Sequence, residues 1–166
     1  MFNIKLFVIA VFILPVSSYS CSAQNKTTGL SEAQVTELVN SRQFQFKAQN
    51  MFPSGGRSKV LTENYTMNVS PDQVSADLPY TGRAYNAPID PADVGIRFVS
   101  KEFTYEKKEG KKNSWEITIT PKDGKDVRTC QLTVYENGNA NLMVSSNSRQ
   151  PISYSGVIAP LEKKVQ

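Results

Sequence analysis

Apolar side chains recur at every second position through most of this chain, in short runs separated by turn residues. A period of two is typical of a strand, because neighbouring side chains point to opposite faces of a sheet. The alternating runs lie at 44–48, 65–69, 74–78, 96–105, 115–119, 130–134, 140–144 and 152–158. They predict an antiparallel meander of about seven to nine strands with one face buried.

Turn signals between these runs support a meander. The Asn137-Gly138 pair is a strong hairpin signal, because both residue types tolerate positive φ. Asp123-Gly124 stands in a second predicted turn, and the lysine-rich stretch 107–113 forms a third. We interpret this basic stretch as a solvated hairpin tip that keeps sheet edges from pairing; contact with lipid phosphates is the alternative.

One helix is predicted ahead of the first strand. Ser31 stands three residues before Gln34, the spacing of a capping box, and Val35, Leu38 and Val39 follow with helical spacing. The fold class is therefore mainly β (α+β), with an N-terminal helix packed on a curved antiparallel sheet. The sheet is expected to close as a sandwich or a partial barrel, because a long open edge invites aggregation.

The first 20 residues have the pattern of a secretory signal peptide. Lys5 precedes an apolar run at 6–16, and small, mostly polar residues follow it. The run is shorter than the ~20 residues that a membrane-spanning helix needs. Cleavage is predicted either before Cys21, which would then carry a lipid, or after Ala23. We therefore expect an exported protein that is periplasmic or anchored in a membrane through Cys21.

Behind the signal, residues 21–30 form a polar tether and residues 31–160 a single β-rich domain. With 19 basic and 15 acidic residues, the chain is only mildly basic, so nucleic-acid binding is not expected. Cys130 alternates in register with Leu132 and Val134 and is interpreted as a small buried hydrophobe.

The chain contains no histidine, which removes several kinds of catalytic site. Ser-His-Asp triads and Cys-His pairs are excluded, and so are histidine-based zinc sites. Asp90 and Asp93 lack the glycine and the distant glutamate of a calcium loop and are interpreted as loop acids. We therefore expect no metal and no cofactor.

Three segments are more specific than the pattern around them: LPYTGRAY at 78–85, WEITI at 115–119 and VSSNSRQPISYSG at 144–156. In this order behind a signal peptide, they resemble a family of exported, uncharacterised Bacteroidetes-type proteins, domain of unknown function 4251. The resemblance spans residues 44–158. It implies an envelope location and one β-rich domain, and it implies no activity and no catalytic residue.

Two of these segments carry the candidate binding residues. Pro79 stops strand pairing and Gly82 permits a backbone angle closed to other residues, so this segment is predicted to form a turn. Arg83 lies between two tyrosines, Tyr80 and Tyr85, whose rings could hold its guanidinium by stacking. Arg149 has a similar polar and aromatic setting. In one interpretation both arginines pair with nearby acids or carbonyls and lock corners of the fold. In the other, a cleft for an anionic or planar ligand is lined by Tyr80, Arg83, Tyr85, Arg149 and Tyr154.

The sequence thus predicts an exported, non-enzymatic protein of the cell envelope. Its expected partner at this corner is an envelope protein, a glycan or a small ligand, and membrane contact is expected only through a lipid on Cys21. A carboxylate-dependent hydrolase of an envelope or dietary polymer is a second hypothesis, for which spacing nominates no catalytic pair. A purely structural lipoprotein is a third.

Overall fold

A computed structural model describes residues 29–83, 85, 95–123 and 126–162. The predicted signal peptide, the lipidation candidate Cys21, and Asp90 and Asp93 lie outside the described residues. Within these ranges, helix α1 (Glu32–Ser41) precedes nine strands. The strands are β1 (Phe44–Pro53), β2 (Lys59–Val69), β3 (Val74–Pro79), β4 (Gly95–Ser100), β5 (Phe103–Glu109), β6 (Ser114–Pro121), β7 (Val127–Tyr135), β8 (Asn139–Ser146) and β9 (Ile152–Pro160). No helix in these ranges has both the length and the apolar character that crossing a bilayer requires.

All nine strands form one antiparallel sheet in the order β4-β3-β2-β1-β9-β8-β7-β6-β5, which confirms the mainly β prediction. The two edge strands, β4 and β5, are consecutive in the chain and are joined only by Lys101 and Glu102. Three residue steps reach at most about 11 Å, so the sheet must curl until its two edges meet. The result is a nearly closed barrel. The chain passes from β4 to β5 through a sharp bend at Lys101 and Glu102.

Asp123 holds the bend between β4 and β5. Its carboxylate accepts hydrogen bonds from the hydroxyl of Ser100 and, at 3.0 Å, from the backbone N–H of Lys101. The backbone N–H of Lys122 donates to the carbonyl oxygen of Glu102 at 2.7 Å. The hydrogen bond from Ser100, and next that from Lys101, hold the pKa of Asp123 below its usual value. The turn after β6 is thus tied to the corner that closes the barrel.

Side chains fill the interior of the barrel. The largest of those that are fully buried include Tyr154, Phe44, Phe46, Met51, Met67 and Leu78. Cys130 is buried among them, and burial raises the pKa of its thiol to about 12, as expected of a core hydrophobe. The interior of a small barrel can be filled by side chains in this way.

Helix α1 packs against the barrel through its predicted apolar face. Ser31 is its N-cap and forms the expected capping box, and Val35 and Val39 are buried. The Tyr105 hydroxyl on β5 donates to the carbonyl oxygen of Val39 at 3.3 Å. The Arg42 guanidinium lies 4.7 Å from the centre of the Tyr105 ring. The helix therefore covers part of the β5 edge.

The structure places the lysine-rich stretch differently from the prediction. Strand β5 extends to Glu109, so Lys107 and Lys108 lie in the edge strand and not in the turn after it. The Lys107 ammonium donates to the side-chain oxygen of Asn40 on α1. Charged side chains on an edge strand discourage pairing with another chain, which is the role expected of this stretch.

The β7–β8 hairpin is present as predicted, but its turn uses one positive φ angle and not two. Gly138 has φ 81°, whereas Asn137 is not among the described residues with positive φ. The N–H of Gly138 donates to the carbonyl oxygen of Tyr135 at 2.9 Å. Asn137 contributes its side-chain oxygen, which accepts from the N–H of Asn139 at 3.0 Å.

Candidate binding site at the Tyr80 corner

The segment after β3 is joined to the segment before β9 by backbone and side-chain hydrogen bonds. The N–H of Tyr85 donates to the carbonyl oxygen of Ser148 at 2.7 Å, and the N–H of Gln150 donates to that of Arg83 at 3.2 Å. The Tyr80 hydroxyl lies 3.0 Å from the Arg83 carbonyl oxygen and 3.3 Å from that of Gln150. The two segments singled out in the sequence thus form one structural unit. We call residues 80–83, 85 and 148–150 the Tyr80 corner.

Arg149 is the buried cation of this corner, with 9% of its side chain exposed. Its Nη1 atom donates to the carbonyl oxygen of Gly95 at 2.6 Å, and its Nε atom lies 3.5 Å from Oδ2 of Asp126. Its guanidinium lies 5.4 Å from the centre of the Tyr80 ring. Arg149 therefore has the partners expected of an arginine that locks a corner.

Arg83 does not take the predicted position between two tyrosine rings. Among the described cation–ring contacts, the guanidinium over Tyr80 belongs to Arg149, and the Arg83 side chain is exposed. The reason is the turn at Gly82, which brings the carbonyl group of Arg83 and not its guanidinium to the Tyr80 hydroxyl. Gly82 does not have the positive φ that the sequence suggested, and a Cβ atom there would lie 2.6 Å from that hydroxyl oxygen, so a larger residue would force the Tyr80 ring to shift.

Tyr154 lies beneath the corner and not on its surface. Its side chain is 1% exposed, and its hydroxyl donates to the carbonyl oxygen of Pro79 at 2.6 Å. Burial raises the pKa of Tyr154 far above its usual value. Tyr80 is half-buried, and burial also raises its pKa. Both tyrosines thus support the corner from within.

Arg83 and Tyr85 are the exposed members of the predicted set. Tyr85 is 66% exposed, and Arg83 is exposed as well. Arg83 and Tyr85 are hydrogen-bonded to Gln150 and Ser148, the neighbours of Arg149 in the chain. Because successive side chains of an extended segment alternate, the inward position of Arg149 places these residues on the outward side. The corner therefore presents a cation and an aromatic ring side by side on a backbone held by hydrogen bonds.

Two residues of the corner's network were not singled out from the sequence. Asp126 accepts from the N–H of Ser148 at 3.1 Å and faces Arg149, and Gly95 supplies a carbonyl oxygen. No motif in the sequence marks Asp126, and no spacing links it to Arg149. Across the described part of the chain, no three His, Cys, Asp or Glu side chains form a group that could hold a metal ion.

In the described residues, fold and corner together define a class: a barrel-like antiparallel sheet preceded by a helix, with a corner locked by a buried arginine. A family model described as "Domain of unknown function (DUF4251)" matches residues 26–158. The chain therefore belongs to the DUF4251 family, which confirms the resemblance seen in its motifs.

One solved structure with a similar fold is the crystal structure of a DUF4251 family protein from Bacteroides eggerthii DSM 20697. It is 14% identical to this chain, with a TM-score of 0.55, and the match covers 78% of this chain and 87% of that chain. At this identity the similarity shows the fold alone. No curated protein matches the chain.

Proposed function

We propose that this chain is an exported, non-enzymatic protein of the cell envelope that binds a protein partner through Arg83 and Tyr85. The observation that carries the proposal is the fixed backbone of the Tyr80 corner, from which these two side chains project into solvent. Arginine and tyrosine are enriched in binding hot spots, since they offer a large contact area together with a charge or a polar group.

A protein surface suits this site better than a small molecule. Pockets for small ligands enclose most of the ligand, whereas Tyr85 is 66% exposed and Arg83 is also exposed. The barrel interior is filled by side chains such as Tyr154 and Phe46, which argues against a ligand held inside. The expected partner therefore presents a carboxylate to Arg83 and a flat surface to Tyr85.

The N-terminal pattern supports export. The positive Lys5, the apolar run 6–16 and the small residues before Gln24 are the three parts of a signal peptide. The intact mass of the mature protein from a native envelope fraction tests this proposal. A diacylated chain starting at Cys21 indicates a lipoprotein, and a chain starting at Gln24 indicates a soluble periplasmic form. A mature protein that retains Met1 overturns export.

Binding is tested by crosslinking and copurification from native envelope fractions. We compare the wild type with an Arg83→Ala/Tyr85→Ala double variant and with an Arg57→Ala/Val60→Ala control. The control removes an exposed arginine and an exposed apolar residue from the β1–β2 region. A protein recovered with the wild type and the control, but lost by about tenfold with the double variant, supports the site.

Both double variants are expected to keep the wild-type melting temperature, because all four side chains are exposed. Equal recovery of partners by the Arg83/Tyr85 variant and the wild type overturns the proposed site.

A further inference from the structure

The Asn137-Gly138 pair at the β7–β8 turn is the single Asn-Gly sequence in the chain, and the proposed binding corner does not use it. Asparagine is a chemically labile residue, above all before glycine. The backbone nitrogen of the glycine can attack the side-chain carbonyl carbon (Cγ) of the asparagine, because no Cβ atom on the glycine hinders the approach. The turn is therefore a candidate site of spontaneous modification.

The reaction at this pair needs no enzyme and no reagent other than water. A base removes the proton of the Gly138 N–H, and this nitrogen forms a bond to Cγ of Asn137. The bond from Cγ to the side-chain nitrogen breaks, and ammonia leaves with the proton that the base returns. Water then opens the succinimide ring that has formed. Opening at one carbonyl gives aspartate, and opening at the other gives isoaspartate, whose main chain runs through the side-chain carbon and is one atom longer.

The folded hairpin holds both reacting groups in hydrogen bonds. The Gly138 N–H donates to the Tyr135 carbonyl oxygen at 2.9 Å, and the Asn137 side-chain oxygen accepts from the N–H of Asn139 at 3.0 Å. Gly138 is also buried, so that hydroxide does not reach its N–H while the turn is closed. Removal of the proton therefore requires the turn to open first.

Helix α1 and strand β9 help to keep the turn closed. A Cβ atom on Gly138 would lie 3.7 Å from the Val35 side chain and 3.8 Å from that of Leu30, so these two residues cover the turn. In addition, the N–H of Ile158 on β9 donates to the Gly138 carbonyl oxygen at 2.8 Å. Opening of the turn thus breaks contacts with α1 and with β9.

We propose that Asn137 is a latent deamidation site, which the folded hairpin and α1 protect and which unfolding exposes. Isoaspartate at position 137 lengthens the main chain inside a tight turn whose ends, Tyr135 and Gly138, are hydrogen-bonded. We expect the longer chain to lose this bond together with the bond from Ile158 to Gly138. Deamidation of the unfolded chain therefore removes it from the population that can refold.

Incubation of the mature chain at mildly alkaline pH, in buffer and in concentrated guanidinium chloride, tests the protection. Peptide mass spectrometry measures the conversion of the Asn137 amide to a carboxyl group. Conversion in buffer is expected to be slower by at least about tenfold, because only the open fraction of the turn reacts. Hydrogen exchange of the Gly138 N–H is expected to be slowed in parallel, since it needs the same opening.

Val35→Ala tests the part played by α1. It removes a contact on the turn and is expected to speed the conversion in buffer by several-fold. Val127→Ala is the matched control, because Val127 is buried at the other end of β7 and is expected to leave the rate unchanged. Equal acceleration by the two variants would overturn the protection by α1, because the turn would then open only together with the whole barrel.

Refolding of the separated products tests the consequence. Asn137→Asp is the control, because its main chain has the normal length and its carboxylate can accept the hydrogen bond from Asn139. In circular dichroism melts, Asn137→Asp is expected to match the wild type, and the isoaspartate chain is expected to show no cooperative transition. Equal conversion rates in buffer and in denaturant overturn the proposal, and so does an isoaspartate chain that melts like Asn137→Asp.

Discussion

The hydroxyl of Tyr154 on β9 donates a hydrogen bond to the carbonyl oxygen of Pro79 at the end of β3, at 2.6 Å. Two strands, β2 and β1, separate β3 from β9 in the sheet, so this bond spans the curved inner face of the barrel. Burial raises the pKa of Tyr154, which keeps its hydroxyl a neutral donor. The bond supports the Tyr80 corner from below.

Tyr154→Phe is expected to lower the free energy of unfolding by about 1 kcal/mol, because it leaves the partly buried Pro79 carbonyl without its donor. Urea unfolding followed by the fluorescence of the single tryptophan, Trp115, measures the change. Tyr85→Phe is the control, because Tyr85 is exposed. An equal, small effect of both substitutions would show that this bond adds nothing to stability.

Gly156→Ala is expected to destabilise the barrel by about 3 kcal/mol or more. A Cβ atom on Gly156 would overlap the carbonyl oxygen of Lys47 and lie 2.9 Å from its carbonyl carbon, next to the bulge in β1. Gly55→Ala is the control, because a Cβ atom there meets nothing within 4 Å. Circular dichroism melts of both variants compare them directly, and a Gly156→Ala protein that melts like the wild type would contradict the β1–β9 register.

Asp126→Asn is expected to cost about 2 kcal/mol, because it removes the negative charge facing the buried Arg149. The expected readout is a lower urea midpoint with an unchanged slope. Asp72→Asn, in the exposed turn between β2 and β3, serves as the control. If the two asparagine variants are equally stable, the negative charge of Asp126 does not stabilise the buried guanidinium of Arg149.

The corner between β4 and β5 should weaken in acid. The folded-state pKa of Asp123 is depressed below its ordinary value of 3.8, so its contribution to stability is fully present above that value. The contribution is lost as the pH falls through the folded pKa. Urea midpoints measured down to acidic pH should therefore fall more steeply for the wild type than for Asp123→Asn. Parallel pH profiles would show that Asp123 does not stabilise the bend through its charge.

Helix α1 and most strands follow from local signals in the sequence. The capping box at Ser31 and the alternation around residues such as Ile117 depend only on close neighbours in the chain. Which strands lie side by side is a different question, because alternation shows which face is buried and not what it pairs with. The pairing of Phe44 with Pro160 joins the two ends of the domain, and no local pattern indicates it.

The candidate site shows the same limit. Arg83 lies between Tyr80 and Tyr85 in the chain, yet the cation over Tyr80 is Arg149. Arg149 is distant in sequence and lies in the segment before β9. Close spacing in sequence predicted stacking, but the turn at Gly82 directs the Arg83 side chain to solvent. The partner Asp126 could not be predicted, since only the folded sheet brings it to Arg149.

Strand β1 is the first strand of the domain, and one of its two partners is the last strand, β9. In a chain that emerges with its amino terminus first, from a ribosome or through a membrane pore, β1 lacks that neighbour until β9 has followed. Barrel closure must wait until Pro160 has emerged, because Pro160 pairs with Phe44. Completion of the fold is therefore coupled to delivery of the whole domain, and until then one edge of β1 is available to chaperones.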